Sequence, residues 1–149
     1  MAIVPGSDTG AFELLMWSLL GKNETTMLVW ESFGNDWAED AVNQLKLERC
    51  KVDKAEYGHL PDLNKVSSTS DICFTWNGTT SGARVPNSNW IEKSDERLVL
   101  CDATSAVFSQ ELDWEKLDAV SFSWQKVLGG EGGHGLSLIH ISEPTRPSI

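Results

Sequence analysis

Short apolar runs recur along this chain, each closed by a polar or glycine-rich stretch. Thr26–Trp30 (TMLVW), Ile72–Trp76 (ICFTW), Leu98–Ala103 (LVLCDA) and Val120–Trp124 have the length and the β-branched and aromatic content of buried strands. Ile3 and Val4 end another strand, and Val52–Tyr57 form a short one. Pro5–Gly10 reads as a turn. The helix expected after it, Ala11–Leu20, is apolar nearly all round and stops at Gly21-Lys22-Asn23. A second turn falls at Gly34-Asn35-Asp36. Asp36 and Glu39 then give a capping-box start to a helix over Trp37–Leu47, with Trp37, Ala41 and Leu45 on one stripe. Pro61–Val66 suits a short helical turn. Strands alternating with helices predict an α/β layered fold with a mostly parallel sheet, and Val120–Trp124 is its last expected strand. In such sheets ligands bind outside the carboxyl ends of the strands.

Composition narrows the partners. The 149 residues are 40% hydrophobic and 23% charged, which suits a globular domain, and the net charge is −10. No basic run occurs, which argues against a nucleic acid or an anionic membrane as partner. A phosphate would have to be gripped by backbone amides and hydroxyls. Cys50, Cys73 and Cys101 form no C-x-x-C pair, so no metal site is expected, and a reducing cytoplasmic setting is the simplest reading. The first ten residues lack a signal-peptide pattern, and the Ala11–Leu20 segment is too short to span a bilayer. The N-x-T triplets at Asn23 and Asn77 are therefore read as structural.

The C-terminal stretch differs in kind. Leu136–Arg146 reads LSLIHISEPTR, which looks like the conceptual translation of a transposase-type sequencing adapter. Residues 136–149 are accordingly expected to be a non-native tail, and 1–135 the native domain.

Three segment ends carry chemistry that converges on one ligand class. Lys126, which closes SFSWQK before a glycine-rich stretch, can bond an aldehyde. Asp102, at the end of an apolar strand, can pair with a protonated ring nitrogen. Thr9 and Gly10, opening a helix, can offer amides and a hydroxyl to a phosphate. Taken singly, each is more often a solvated lysine, a turn-forming aspartate or a common helix start.

In order, the blocks SDTGAFE, WESFGNDW, FTWNGTTSG, LVLCDATSA and SFSWQKVLGG resemble the phosphoserine aminotransferases, class V enzymes of the fold-type I group that use pyridoxal 5′-phosphate. The resemblance covers Ala2 to about Gly135 and implies a three-layer fold, here a partial large cofactor-binding domain. It implies that Lys126 bonds the cofactor and moves the proton of the transfer, and that Asp102 meets the pyridinium nitrogen. It further implies that Trp37 stacks on the ring, that Thr79 lies near the ring hydroxyl, and that Gln125, Thr9 and Gly10 contact the phosphate. Some relatives carry arginine at the Thr9 position. Trp37 has a plain reading too, as a core residue on its helix stripe, and Thr79 as a turn cap. Burial is expected to help Lys126 act as a base.

The implied reaction is ping-pong amino transfer between glutamate and 3-phosphohydroxypyruvate, a step of serine biosynthesis, in a cytoplasmic homodimer. Vitamin B6 synthesis is a related use. The family's C-terminal domain and N-terminal segments are expected to be missing, so this chain should turn over little or not at all. Two alternatives carry less weight. Another class V enzyme, such as a cysteine desulfurase, more often has histidine where Trp37 stands. Asp8-Thr9-Gly10-Ala11 also matches the D-T-G-A of aspartic proteases, a reading that requires Asp8 in a strand loop rather than before a helix.

Overall fold

In the computed structural model, residues 1–139 are described. The seven strands are β1 (Ala2–Pro5), β2 (Thr25–Val29), β3 (Cys50–Lys54), β4 (Asp71–Thr75), β5 (Val99–Asp102), β6 (Ala119–Ser123) and β7 (His134–Ile139). They form one sheet in the order β1-β7-β6-β5-β4-β2-β3. The neighbours from β3 to β6 pair in parallel, while β7 runs antiparallel to both β6 and β1. The sheet is thus mixed and mostly parallel, as expected.

Alternation along the strands sorts the core onto two faces. Met27, Val29, Cys73, Leu100 and Ala119 point to one face, where α1 (Ser7–Leu19) and α2 (Ser32–Glu39) bring Phe12, Leu15, Met16, Trp37 and Ala38 against them. Leu28, Ile72, Phe74, Val99, Cys101, Val120 and Phe122 point to the other. There the cover is supplied by long connections carrying Val85, Ile91, Ala106 and Leu117, with short 3-10 turns at Leu63–Lys65 and Trp114–Lys116. The third layer is therefore irregular rather than helical among the described residues.

Three expectations are corrected. The first helix starts at Ser7, not Ala11: Gly6 caps it in the left-handed region (φ 89°), so most of the segment read as a turn is its first turn. The second helix starts at Ser32, not Trp37. Its cap is Glu31, whose Oε1 accepts from the Gly34 amide at 2.6 Å, so Gly34-Asn35-Asp36 is helical. From Asp40 to Gln44 this helix widens into a π turn. Finally, β6 is not the last strand. Leu136–Ile139 complete β7, with Leu136 and Ser137 buried between β1 and β6. That pairing is silent about where the tail came from, because ladder hydrogen bonds are made by backbone and accept any alternating sequence. His140–Ile149, the rest of the expected tail, lies outside the described residues.

Candidate functional site

Face alternation places the central carboxylate. Asp102 lies two residues beyond Leu100 and so faces the helices at the carboxyl end of β5. Its register partner on β6 is Ser121, two beyond Ala119 and on the same face. Each oxygen of this carboxylate accepts one N–H: Trp37 of α2 donates its indole N–H to Oδ2 at 3.2 Å, and the Thr104 amide, in the loop after β5, donates to Oδ1 at 3.0 Å.

Around Asp102 a small pocket opens at the strand ends. It is lined by Ser7, Asp8 and Thr9 from α1, Phe33 and Trp37 from α2, Thr79, Asp102 and Thr104 from the loops after β4 and β5, and Gln125 and Lys126 after β6. Five separate segments of the chain meet here. Of the expected site residues, Thr9, Trp37, Thr79, Asp102, Gln125 and Lys126 are all on its wall. Gly10 is not. Its amide donates to the Gly6 carbonyl at 3.1 Å, the first bond of the helix. The amides of Ser7, Asp8 and Thr9 precede that ladder and have no helical partner, so these three are open to an anion. A Cβ on Gly10 would stand 2.2 Å from the Pro5 carbonyl oxygen, so glycine is required there by close packing of the strand end.

The wall residues are held from behind. Thr79 donates its hydroxyl to Ser105 Oγ at 2.9 Å, and Ser105 donates to the Asn77 carbonyl at 3.1 Å. Thr80 donates to Glu31 Oε2 at 3.1 Å, which ties this loop to the cap of α2. Ser7 donates to Gln125 Oε1 at 3.1 Å, joining the start of α1 to the turn after β6. Ser7 itself has φ 60°, an uncommon conformation for a residue with a Cβ, at the rim of the pocket. The glycine-rich stretch packs on its own chain. A Cβ would meet Trp124 Cβ at 2.9 Å from Gly130, Gln125 Oε1 at 2.1 Å from Gly132, and the Ser7 carbonyl oxygen at 2.0 Å from Gly135.

Trp37 combines its two readings. It is 4% exposed, with its ring 5.0 Å from Phe12, and it lines the pocket. The burial expected for Lys126 is not found: the side chain is exposed in the turn after β6.

Sequence reasoning gave Asp8 no part in this site. It is 5% exposed in the first turn of α1, and among the described residues neither carboxyl oxygen has a hydrogen-bond partner. Burial, and then the charge of Asp102, pushes this carboxyl well above the ordinary carboxylate range. The helix dipole favours an anion at this position by only about 0.3–1 kcal/mol, whereas burying an unpaired charge costs roughly several kcal/mol, so burial wins. SDTGA shows an acid beside the expected phosphate turn, but only the fold shows that it meets the strand-end Asp102. The helical setting of Asp8 also removes the strand loop that the protease reading needs.

No protein-family model matches the chain. It is 56% identical over 139 residues to the phosphoserine aminotransferase of Methanosarcina barkeri, covering 93% of this chain and 38% of that protein. The corresponding enzyme of Methanosarcina mazei is 57% identical over the same shares. The chain therefore spans well under half the length of the curated relatives it matches. Among solved structures, a phosphoserine aminotransferase from Cytophaga hutchinsonii superposes with a TM-score of 0.77 at 25% identity, over 92% of this chain and 38% of that one. A pyridoxal-phosphate-bound phosphoserine aminotransferase from Trichomonas vaginalis shares the fold, with a TM-score of 0.66 at 16% identity, over 97% and 43%.

Proposed function

We propose that this chain, related along nearly its whole length to phosphoserine aminotransferases, forms the cofactor-binding part of such an enzyme, with pyridoxal 5′-phosphate in the pocket around Asp102. The observation that carries the reading is the meeting of Lys126, Asp102 and the open first turn of α1 on one pocket wall. An unpartnered polar atom on the pocket wall fits a polar ligand: Thr104 Oγ1 is buried with no hydrogen-bond partner among the described residues. When bound, the cofactor supplies an aldehyde for an amine and a cationic ring that withdraws electrons.

The chain's own residues then have distinct tasks. Asp102, held by Trp37 and Thr104, presents fixed negative charge to the ring nitrogen and needs no reorganisation to do so. The amides of Ser7, Asp8 and Thr9, with the Thr9 hydroxyl and Gln125, receive the phosphate. Gly10 serves by letting Pro5 approach. The Trp37 ring keeps the cofactor plane fixed, and Thr79 holds the ring hydroxyl side. Lys126 would hold the cofactor through its aldehyde and would be the group that moves a proton at the substrate α-carbon.

The whole enzyme's reaction is proposed as amino transfer between glutamate and 3-phosphohydroxypyruvate in serine biosynthesis, by a cytoplasmic homodimer. The strong identity to the Methanosarcina enzymes favours it over a desulfurase or another class V transaminase. Among the described residues no helix is long and apolar enough to cross a membrane. Residues 1–135 are proposed as part of the large domain, and 136–149 as adapter-derived.

Covalent trapping tests the reading. The chain is mixed with pyridoxal 5′-phosphate, reduced with borohydride and mapped by mass spectrometry, with circular dichroism on the same sample. Stoichiometric label on Lys126 is expected. Label scattered over the lysines of a folded chain overturns the assignment.

A further inference from the structure

Asp8 is the one buried carboxyl on the pocket wall that the proposed mechanism leaves without a task. Its surroundings are specific. It sits against Asp102 of β5, Ser121 of β6 and Thr104 of the following loop. Trp37 closes the α2 side, and the charged groups sharing the pocket are Asp102 and, from the turn after β6, Lys126. Lys126 is exposed and Asp8 is not, and no ion pair joins them among the described residues. Burial, and then the charge of Asp102, disfavours the ionised form of Asp8.

The two carboxyls are partnered differently. Asp102 accepts two N–H donors, from Trp37 and Thr104, which stabilise an anion. Asp8 accepts none. Its own backbone amide belongs to the open first turn that would receive a phosphate, where an adjacent carboxylate would repel the ligand.

We infer that Asp8, buried on the pocket wall beside Asp102 and without a donor of its own, is a positioning residue whose neutral O–H donates to Asp102 and fixes that carboxylate for the cofactor ring. The protonation state belongs to this chain alone; the positioning role rests on the cofactor reading above. Asparagine at position 8 reproduces a neutral donor of the same shape, and alanine removes it.

The test has two independent readouts. In the chain without cofactor, carbon-13 labelling of aspartate carboxyls and nuclear magnetic resonance at pH 7 should show a protonated carboxyl, correlated through bonds to the Asp8 amide and absent from Asp8→Asn. A folded wild-type chain with every aspartate ionised overturns the inference, as does a protonated signal that persists in Asp8→Asn. Because the correlation is made in the wild-type chain, a variant that fails to fold does not remove the test. In pyridoxal 5′-phosphate titrations followed by absorbance, Asp8→Asn should bind within about threefold of wild type and Asp8→Ala about tenfold more weakly. Equal loss in both variants overturns the positioning role, since it makes the charge of Asp8 the required feature. Absence of binding by wild type, with a protonated Asp8 in the spectra, overturns the cofactor reading and upholds the neutral Asp8.

Discussion

The indole N–H of Trp37 donates to Asp102 Oδ2 at 3.2 Å, so a core tryptophan and a strand-end carboxylate fix each other. The ring also packs on Phe12 at 5.0 Å. These two contributions can be separated by mutation. Trp37→Phe keeps an aromatic body and loses the donor, and should cost about 1.5–3 kcal/mol, the usual worth of a hydrogen bond to a charged group. Trp37→Ala should cost about 3–5 kcal/mol because it also opens a cavity. Urea denaturation of the three chains checks this. Equal stability of Trp37→Phe and wild type would show that the bond contributes nothing.

Asp8 makes stability depend on pH. Its carboxyl is raised in the folded chain, by burial first and Asp102 second, above the 3.8 of an ordinary aspartate. Between that ordinary value and its folded value the native state binds more protons than the unfolded state. The contribution is therefore fully present below the ordinary value and is lost as pH rises through the folded one. In a denaturation series from mildly acid to alkaline pH, Asp8→Asn should lose this decline and should exceed wild type in stability at the alkaline end. Parallel pH profiles for the two chains would contradict the assignment.

Glycine requirements near the pocket differ sharply between neighbours. A Cβ on Gly135 would lie 2.0 Å from the backbone carbonyl oxygen of Ser7, whereas a Cβ on Gly133 meets nothing within 4 Å. Gly135→Ala should cost about 1–3 kcal/mol, as overpacking does. Gly133→Ala should stay within about 0.5 kcal/mol of wild type. Thermal melts of both chains, run side by side, distinguish a local steric requirement from a general need for a flexible loop.

Lys126 is exposed, so its loss should cost little in stability. Lys126→Met is expected within about 0.5 kcal/mol of wild type in urea. It should nevertheless abolish borohydride-trapped pyridoxyl label. Label retained at wild-type stoichiometry in this variant would place the reactive amine elsewhere.

The sequence made the strands at Thr25–Val29, Asp71–Thr75, Val99–Asp102 and Ala119–Ser123 legible because each is buried on both faces and so apolar along its length. Five of the expected site residues on the pocket wall, Thr9, Thr79, Asp102, Gln125 and Lys126, stand where such a run, or the helix packed on it, meets a polar break, whereas Trp37 lies within α2. Both helix starts were misplaced. At Ser7 the first turn is polar because it faces the pocket, and at Ser32 the cap is Glu31, which lies outside the usual set of short capping side chains. Asp8 escaped notice because its meaning comes from Asp102, which is distant in sequence and adjacent only because α1 packs across β5 and β6. β7 was passed over because its residues read as foreign, while backbone pairing takes no account of origin.

The position of β7 also sets an order of assembly. Strand β1 has β7 as its sole sheet neighbour, and Ala2 pairs with Ser137 across nearly the whole described chain. Closing so long a loop loses entropy before any contact returns it, so this pairing belongs late in folding. Among the described residues β1 waits for β7, and the opening turn of α1, which follows β1 directly, is not fixed over Asp102 until they pair. The pocket wall supplied by α1 is thus completed by a strand more than a hundred residues away in sequence.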